Sequence, residues 1–193
     1  MERLPARVLE EEDVRRVLAH IATSRYPLRN RVIVLLSFKA GLRACEISGL
    51  TWPMVLRTDC SVDDQMRIAR HIAKYGSART IPMHPDLRKA LSVHHRLLGR
   101  PRTGYVICSE RKGRMTPRSI VNWFSDVYAT LALPGCSSHS GRRTFITRSA
   151  RAIVKVGGSL RDVQELAGHR ALTTTERYIM GDREAQRQLM RLI

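Results

Sequence analysis

The chain has 193 residues and 43% hydrophobic content, which favours one domain with a sizeable core and excludes a disordered tail protein. Its formal net charge is +17, from 34 Lys and Arg against 17 Asp and Glu. An excess of that size points to a polyanionic partner, nucleic acid first and an acidic membrane surface second. The longest apolar run, VIVLLSF at 32–38, is too short to span a bilayer, and the opening MERLPARVLEEED has no apolar signal region. The expected location is cytoplasmic and nucleoid-associated, with no membrane partner.

In chain order, residues 1–8 read as a linker-like segment running into a capped helix. Both a complete chain and the carboxy-terminal part of a longer one are compatible with that start. EEEDVRRVLAHIA (10–22) predicts an amphipathic helix with Val14, Val17, Leu18 and Ile21 on one face and acids in its first turn. RNRVIVLLSFKAG (29–41) predicts a buried helix, apolar nearly all round and ended by Gly41. A short helix follows over ACEISGL (44–50). Then the segments 52–60, 65–76 and 78–84 alternate in polarity and are broken by Asp, Gly and Pro, predicting a small antiparallel sheet.

The rest is mainly helical. Pro85 and Gly99 bound one helix, GYVICS (104–109) is extended, and Thr116-Pro117 caps a helix to about 133. Further helices are expected over 139–156, 159–167, 171–180 and 182–192. The fold class is therefore mainly α with one small antiparallel β-sheet. The four cysteines, at 45, 60, 108 and 136, form no C-x-x-C pair and read as packed, reduced thiols. His94 and His95 are adjacent, face about 100° apart on a helix, and read as surface or edge residues rather than metal ligands.

Four stretches carry polar residues that the helix or strand pattern does not demand. In AGLRACEISGL, Arg43 and Glu46 share a helix face, as a surface ion pair or as part of a site. In AKYGSARTIPM, Lys74 precedes a Tyr-Gly turn, either as an edge-strand solubility device or as a cation reaching a phosphate. In HSGRRTFITRSA, His139 and Arg142 point the same way at a helix start, which suits an anion. Gly141 is costly inside a helix, by about 1 kcal/mol against Ala, and marks a close approach. In ELAGHRALTTTERYI, Gly168 stops a helix, His169 sits on the turn, and Tyr178 lies about two turns into the next helix. The three threonines before Tyr178 are poor helix formers, so that element reads as weakly held.

Together and in this order, the stretches resemble the tyrosine recombinase family of phage integrases and Xer-type resolvases, over residues 9–181, the expected catalytic domain. GLRACEI resembles the family's first arginine box, assigning Arg43 and Glu46. The sheet lysine falls on Lys74, the H-x-x-R box on His139 and Arg142, and the Gly-His box on His169. The nucleophile then falls on Tyr178. Ala167 departs from the usual leucine before Gly-His, Gly141 from a larger apolar residue, and the segment 1–8 before the match is too short for the family's amino-terminal core-binding domain.

The resemblance implies site-specific DNA strand cleavage and rejoining, with Tyr178 as nucleophile, Arg43 and Arg142 on the phosphate, His139 as base and Lys74 as acid. It further implies that His169 donates to the phosphate and that Glu46 orients Arg43 or His139. A 3′-phosphotyrosine keeps the bond energy, so no ATP, metal or other cofactor is expected. The partner is double-stranded DNA, with Arg67, Arg70, Arg79, Arg111, Lys112, Arg114 and Arg118 as phosphate contacts. The tail 182–193 presents Leu189, Met190 and Ile193 for packing, on a neighbouring protomer of a homo-tetramer on paired DNA sites or back on its own domain; the free chain can be a monomer. Two other readings stay open: a type IB topoisomerase-like strand transferase, and a DNA-binding module without catalysis.

Overall fold

The computed structural model describes residues 5–178 together with 190 and 191. Helix α1 (Glu11–Ala22) buries Val14, Val17 and Ile21 and carries Glu11, Glu12 and Asp13 in its first turn, where carboxylates favour the helix dipole. Helix α2 (Pro27–Lys39) is the centre of the molecule. Val32 to Phe38 are all buried, and α2 packs against α1, α4 (Pro85–Leu97) and α6 (Ser140–Ile153). A helix surrounded on all sides needs apolar residues on all sides, which is the pattern of its sequence. Gly41 follows with φ +63°, a left-handed conformation that turns the chain toward α3 (Ala44–Gly49). The Phe145 ring of α6 occupies the space a Cβ would need there.

Among the described residues the sheet has two strands, β1 (Gln65–Ile68) and β2 (Arg79–Pro82), antiparallel with Met66 opposite Ile81 and Ile68 opposite Arg79. The segment 52–60 does not supply a third. Trp52–Met54 is a 3₁₀ turn, and only a single bridge, Leu56 with Val62, follows. Pro53 has no N–H for a ladder, and the Asp59 carboxylate accepts from Ser61 N at 2.9 Å, closing a local turn instead. GYVICS likewise forms isolated bridges at Tyr105 and Cys108 rather than a strand.

Helix α4 opens at His84–Pro85, and α5 (Pro117–Thr130) opens at Thr116, whose hydroxyl accepts from Ser119 N at 3.1 Å. His94 and His95 correct the expectation of a surface pair. Both are buried, their Nε2 atoms lie 3.1 and 3.0 Å from the carbonyls of Val106 and Pro101, and both rings lie against Trp52. The large aromatic face of Trp52 covers them, a tertiary contact that adjacency in sequence does not reveal. The four cysteines are half-buried free thiols.

The main core runs from Leu9 to Leu133. A second, smaller one joins α6 to α7 (Leu160–Ala167) through Ile146, Val163 and Ala167, with Phe145, Ile153 and Tyr178 packed against it. Helix α8 (Leu172–Glu176) hangs on α7. It is shorter than the expected 171–180, and Tyr178 sits in the turn after it rather than inside a helix. The expected helix over 182–192 lies outside the described residues, apart from 190 and 191. The opening segment is strapped to the domain: Arg7 N donates to Gly135 O at 2.9 Å and Leu9 N to the Thr144 hydroxyl at 2.9 Å. Among the described residues no helix is long and apolar enough to cross a membrane.

Candidate active site

Arg43 caps α3, and Glu46 stands one turn on, fully buried. The Glu46 carboxylate accepts from Arg43 N at 2.9 Å and Arg43 Nη1 at 3.3 Å. It also accepts both terminal nitrogens of Arg79, at 2.9 and 3.1 Å. Burial alone would raise the Glu46 pKa; the hydrogen bond and charge of Arg79, then those of Arg43, outweigh it and hold the group below the ordinary carboxylate range. Glu46 therefore stays an anion, neutralising part of a dense cationic cluster.

Lys74 opens a tight turn between the strands in which Tyr75 adopts φ 60°, ψ 24°. Its Nζ lies 5.0 Å from the Tyr75 ring centre. Arg170, the residue after His169, donates to Tyr75 O at 2.6 Å. The Lys74 turn is thus pinned to the turn that carries His169.

His139 and Arg142 sit at the start of α6, one turn apart. Helix α6 approaches α2 so closely at Gly141 that any Cβ would strike Ser37 and Phe38. Arg142 is buried. It donates through Nη1 to Gly41 O at 2.6 Å, and through Nη2 to Ala167 O at 2.6 Å and His169 Nε2 at 3.0 Å. A guanidinium only donates, so Nε2 of His169 accepts and its proton resides on Nδ1. Nδ1 lies 3.0 Å from the hydroxyl of Thr175, which is fully buried.

Tyr178 completes the cluster. Its ring stacks on His169 with centres 5.6 Å apart and planes at 21°, and the Arg143 guanidinium lies 5.7 Å from its centre. The Thr147 hydroxyl donates to Tyr178 O at 3.3 Å. His139, Arg142, Arg143 and Tyr178 line one cleft of about 650 Å³, which Pro5 and Ala6 also line.

The histidines feel this field. His139 is exposed, yet partial loss of hydration, then the charges of Arg142, Arg43 and Lys74, hold its pKa below the ordinary value. Burial, then Arg142, Arg43 and Arg79, pull His169 down to about 4. Arg142 is itself lowered to about 10, chiefly by burial and then by Arg43, and stays charged at neutral pH. The result is a cationic pocket with two neutral imidazoles and a phenol. It can bind an anion, accept a proton and present a nucleophile.

The structure thus brings Arg43, Glu46, Lys74, His139, Arg142, His169 and Tyr178 to one region. Arg79 is a correction among the phosphate contacts expected from sequence. Its side chain is only 7% exposed and is spent on Glu46 and on Leu166 O, to which Nε donates at 3.0 Å. The signal was present in the alternation of β2, which puts Arg79 on the same face as buried Ile81. Arg67, Arg70, Arg111, Lys112, Arg114 and Arg118 are exposed, and Arg114 is braced by Ser48 Oγ at 2.9 Å. Thr175, Thr147 and Arg143 were not singled out from sequence, because nothing local distinguishes them from other helix-surface residues.

The Phage integrase family profile matches residues 7–184. The chain belongs to the phage integrase family. Among its family relatives, the tyrosine recombinase XerC of Myxococcus xanthus is 30% identical over 185 residues, covering 89% of this chain and 54% of that protein. XerC of Actinobacillus succinogenes is 27% identical over 172 residues, covering 88% and 55%. The chain therefore spans about half the length of the curated relatives it matches. In fold, this integrase-family chain is similar to the Tn1549 transposon integrase, solved with a circular intermediate DNA, at TM-score 0.77 and 19% identity over 98% of this chain and 67% of that one. It is also similar to XerA recombinase, at TM-score 0.71 and 22% identity over 97% and 63%. The expected class, a mainly helical domain with one small antiparallel sheet in the tyrosine recombinase manner, is the fold observed.

Proposed function

We propose that this chain is the catalytic part of a site-specific DNA recombinase, cleaving and rejoining strands through a 3′-phosphotyrosine on Tyr178. The observation that carries the proposal is the shared cleft: the Tyr178 ring stands against His169 and opens onto the same space as His139 and Arg142. A phosphodiester is an anion, and in-line attack concentrates charge on its non-bridging oxygens. Arg43 and Arg142 offer those oxygens cationic N–H donors.

A phenol of pKa about 10 is roughly 0.1% ionised at pH 7, so it needs a base or a cationic field. His139 is neutral at that pH, so it takes the phenolic proton as Tyr178 Oη bonds to phosphorus. The bond to the 5′-oxygen breaks, and Lys74 supplies the proton that lets it leave as a hydroxyl. Rejoining reverses each transfer. Glu46 holds Arg43 in place. His169 accepts from Arg142; for it to donate to a phosphate, its one proton moves from Nδ1 to Nε2 and Arg142 turns from the ring to the phosphate.

The substrate is double-stranded DNA, with Arg67, Arg70, Arg111, Lys112, Arg114 and Arg118 as phosphate contacts. Assembly is a tetramer on paired sites, supported by the apolar set of the tail in sequence. The relatives and structural neighbours above are named recombinases or integrases, which favours strand exchange over a topoisomerase-like or inactive reading. The test begins by selecting, from a random duplex library, DNA that stays attached through denaturation. Two copies of the selected site on one plasmid should then be recombined. Relaxation of arbitrary supercoiled DNA without a site would instead support the topoisomerase reading.

A further inference from the structure

Resting on that recombinase reading, we propose that Arg79 is a positioning residue, the buried tie that holds the Arg43 box, the Lys74 hairpin and the His169 turn in one register. The geometry is specific. Three of its nitrogens are engaged in three bonds: two parallel bonds to the Glu46 carboxylate, at 2.9 and 3.1 Å, and one from Nε to Leu166 O at 3.0 Å. Glu46 in turn fixes Arg43 through its backbone N and its guanidinium. Leu166 lies two residues before Gly168, and the Arg79 side chain packs against that glycine so closely that a Cβ would meet Nη1 at 2.9 Å. Arg79 itself is the first residue of β2, five positions after Lys74.

One side chain therefore touches the supports of the phosphate clamp, the acid and the His169 turn while its own donors are spent on Glu46 and Leu166 O. Only a planar fork with a third donor on its stem makes this set of bonds; a lysine offers a point charge and loses the parallel pair. The second tie, Arg170 to Tyr75 O, joins the hairpin tip to the same turn but does not touch Glu46.

The test uses a nicked duplex carrying the site selected above, with single-turnover adduct formation and DNA affinity measured separately. Arg79→Met should slow adduct formation by about 10- to 100-fold, the scale of an ångström-level misplacement, with affinity and its salt dependence within twofold of the parent. Arg79→Lys should fall between the two. In an Arg43→Ala background, Arg79→Met should cost less than in the parent, because one of the three groups it positions is gone. Additive losses, an unchanged rate, or a drop in affinity with a shallower salt slope would each overturn the proposal.

Hydrogen exchange of the free protein gives a reading that needs no DNA. Arg79→Met should deprotect amides at 43–47 and 166–169 and leave α4 unchanged. A uniform loss of protection would make Arg79 a general stability residue and overturn the positioning role. If the parent chain forms no adduct on any duplex, the recombinase reading fails, and exchange still decides whether Arg79 ties these segments.

Discussion

Arg142 donates to Nε2 of His169 across 3.0 Å, and this bond requires a neutral imidazole with its proton on the Thr175 side. The His169 pKa is pulled to about 4, against an ordinary value of about 6.5. The unfolded chain therefore takes up this proton first as pH falls. The stability His169 contributes is complete above about pH 6.5 and is lost as pH drops toward 4. His169→Gln should flatten that loss. Urea unfolding of both proteins at pH 7.5 and pH 5 checks it, since His94 and His139, shifted the same way, remain in both. Equal losses would contradict the assignment.

Gly141 sets how closely α6 can seat Arg142 against the Gly41 carbonyl. Gly141→Ala should cost about 1–3 kcal/mol by overpacking against Ser37 and Phe38, and should slow adduct formation. Ser37→Ala removes a buried hydroxyl that has no partner among the described residues and should be neutral or stabilising. Denaturant midpoints at constant m-value measure both.

Sequence carried the site unevenly, for physical reasons. Arg43 with Glu46, and His139 with Arg142, were legible because three-residue spacing puts each pair on one helical face. Gly41 was legible because apolar periodicity ends there, and Gly168 because the helix before it is strongly amphipathic. What periodicity cannot carry is which distant group a buried charge finds. Arg79 looked like one more basic residue for DNA until Glu46, 33 positions away, took its guanidinium. His94 and His95 looked exposed until Trp52 covered them. The third strand failed where Pro53 and an Asp59 turn outweighed alternation. The threonine run read as uniformly weak, yet Thr175 is fully buried on His169, a contact made only when the chain folds back on α7.

The exposed basic residues should act through counterion release. Replacing Arg111, Lys112 or Arg118 singly by Gln should lower the slope of log affinity against log salt by about one, on any duplex sequence. Arg79→Gln should leave that slope unchanged. Fluorescence anisotropy titrations between 50 and 200 mM salt separate the two classes.

Lys74 is assigned to the leaving oxygen. Lys74→Ala should cut the cleavage rate by about 100- to 10,000-fold, the usual range for a lost general acid. A substrate with sulfur in place of the 5′-bridging oxygen should restore most of it, because a thiolate leaves without a proton. Arg43→Ala should not be rescued. Rescue of Arg43→Ala but not of Lys74→Ala would reverse the two roles.

The central claim is that Tyr178 bonds to phosphorus. Adduct trapped on a nicked site-bearing duplex can be digested with nuclease and trypsin, and the modified peptide sequenced by mass spectrometry. The account predicts a nucleotide mass on the tryptic peptide 178–183, localised to Tyr178, and its disappearance in Tyr178→Phe with DNA affinity retained. A nucleotide on Tyr75 or any other residue, or equal adduct in the Tyr178→Phe protein, would contradict it.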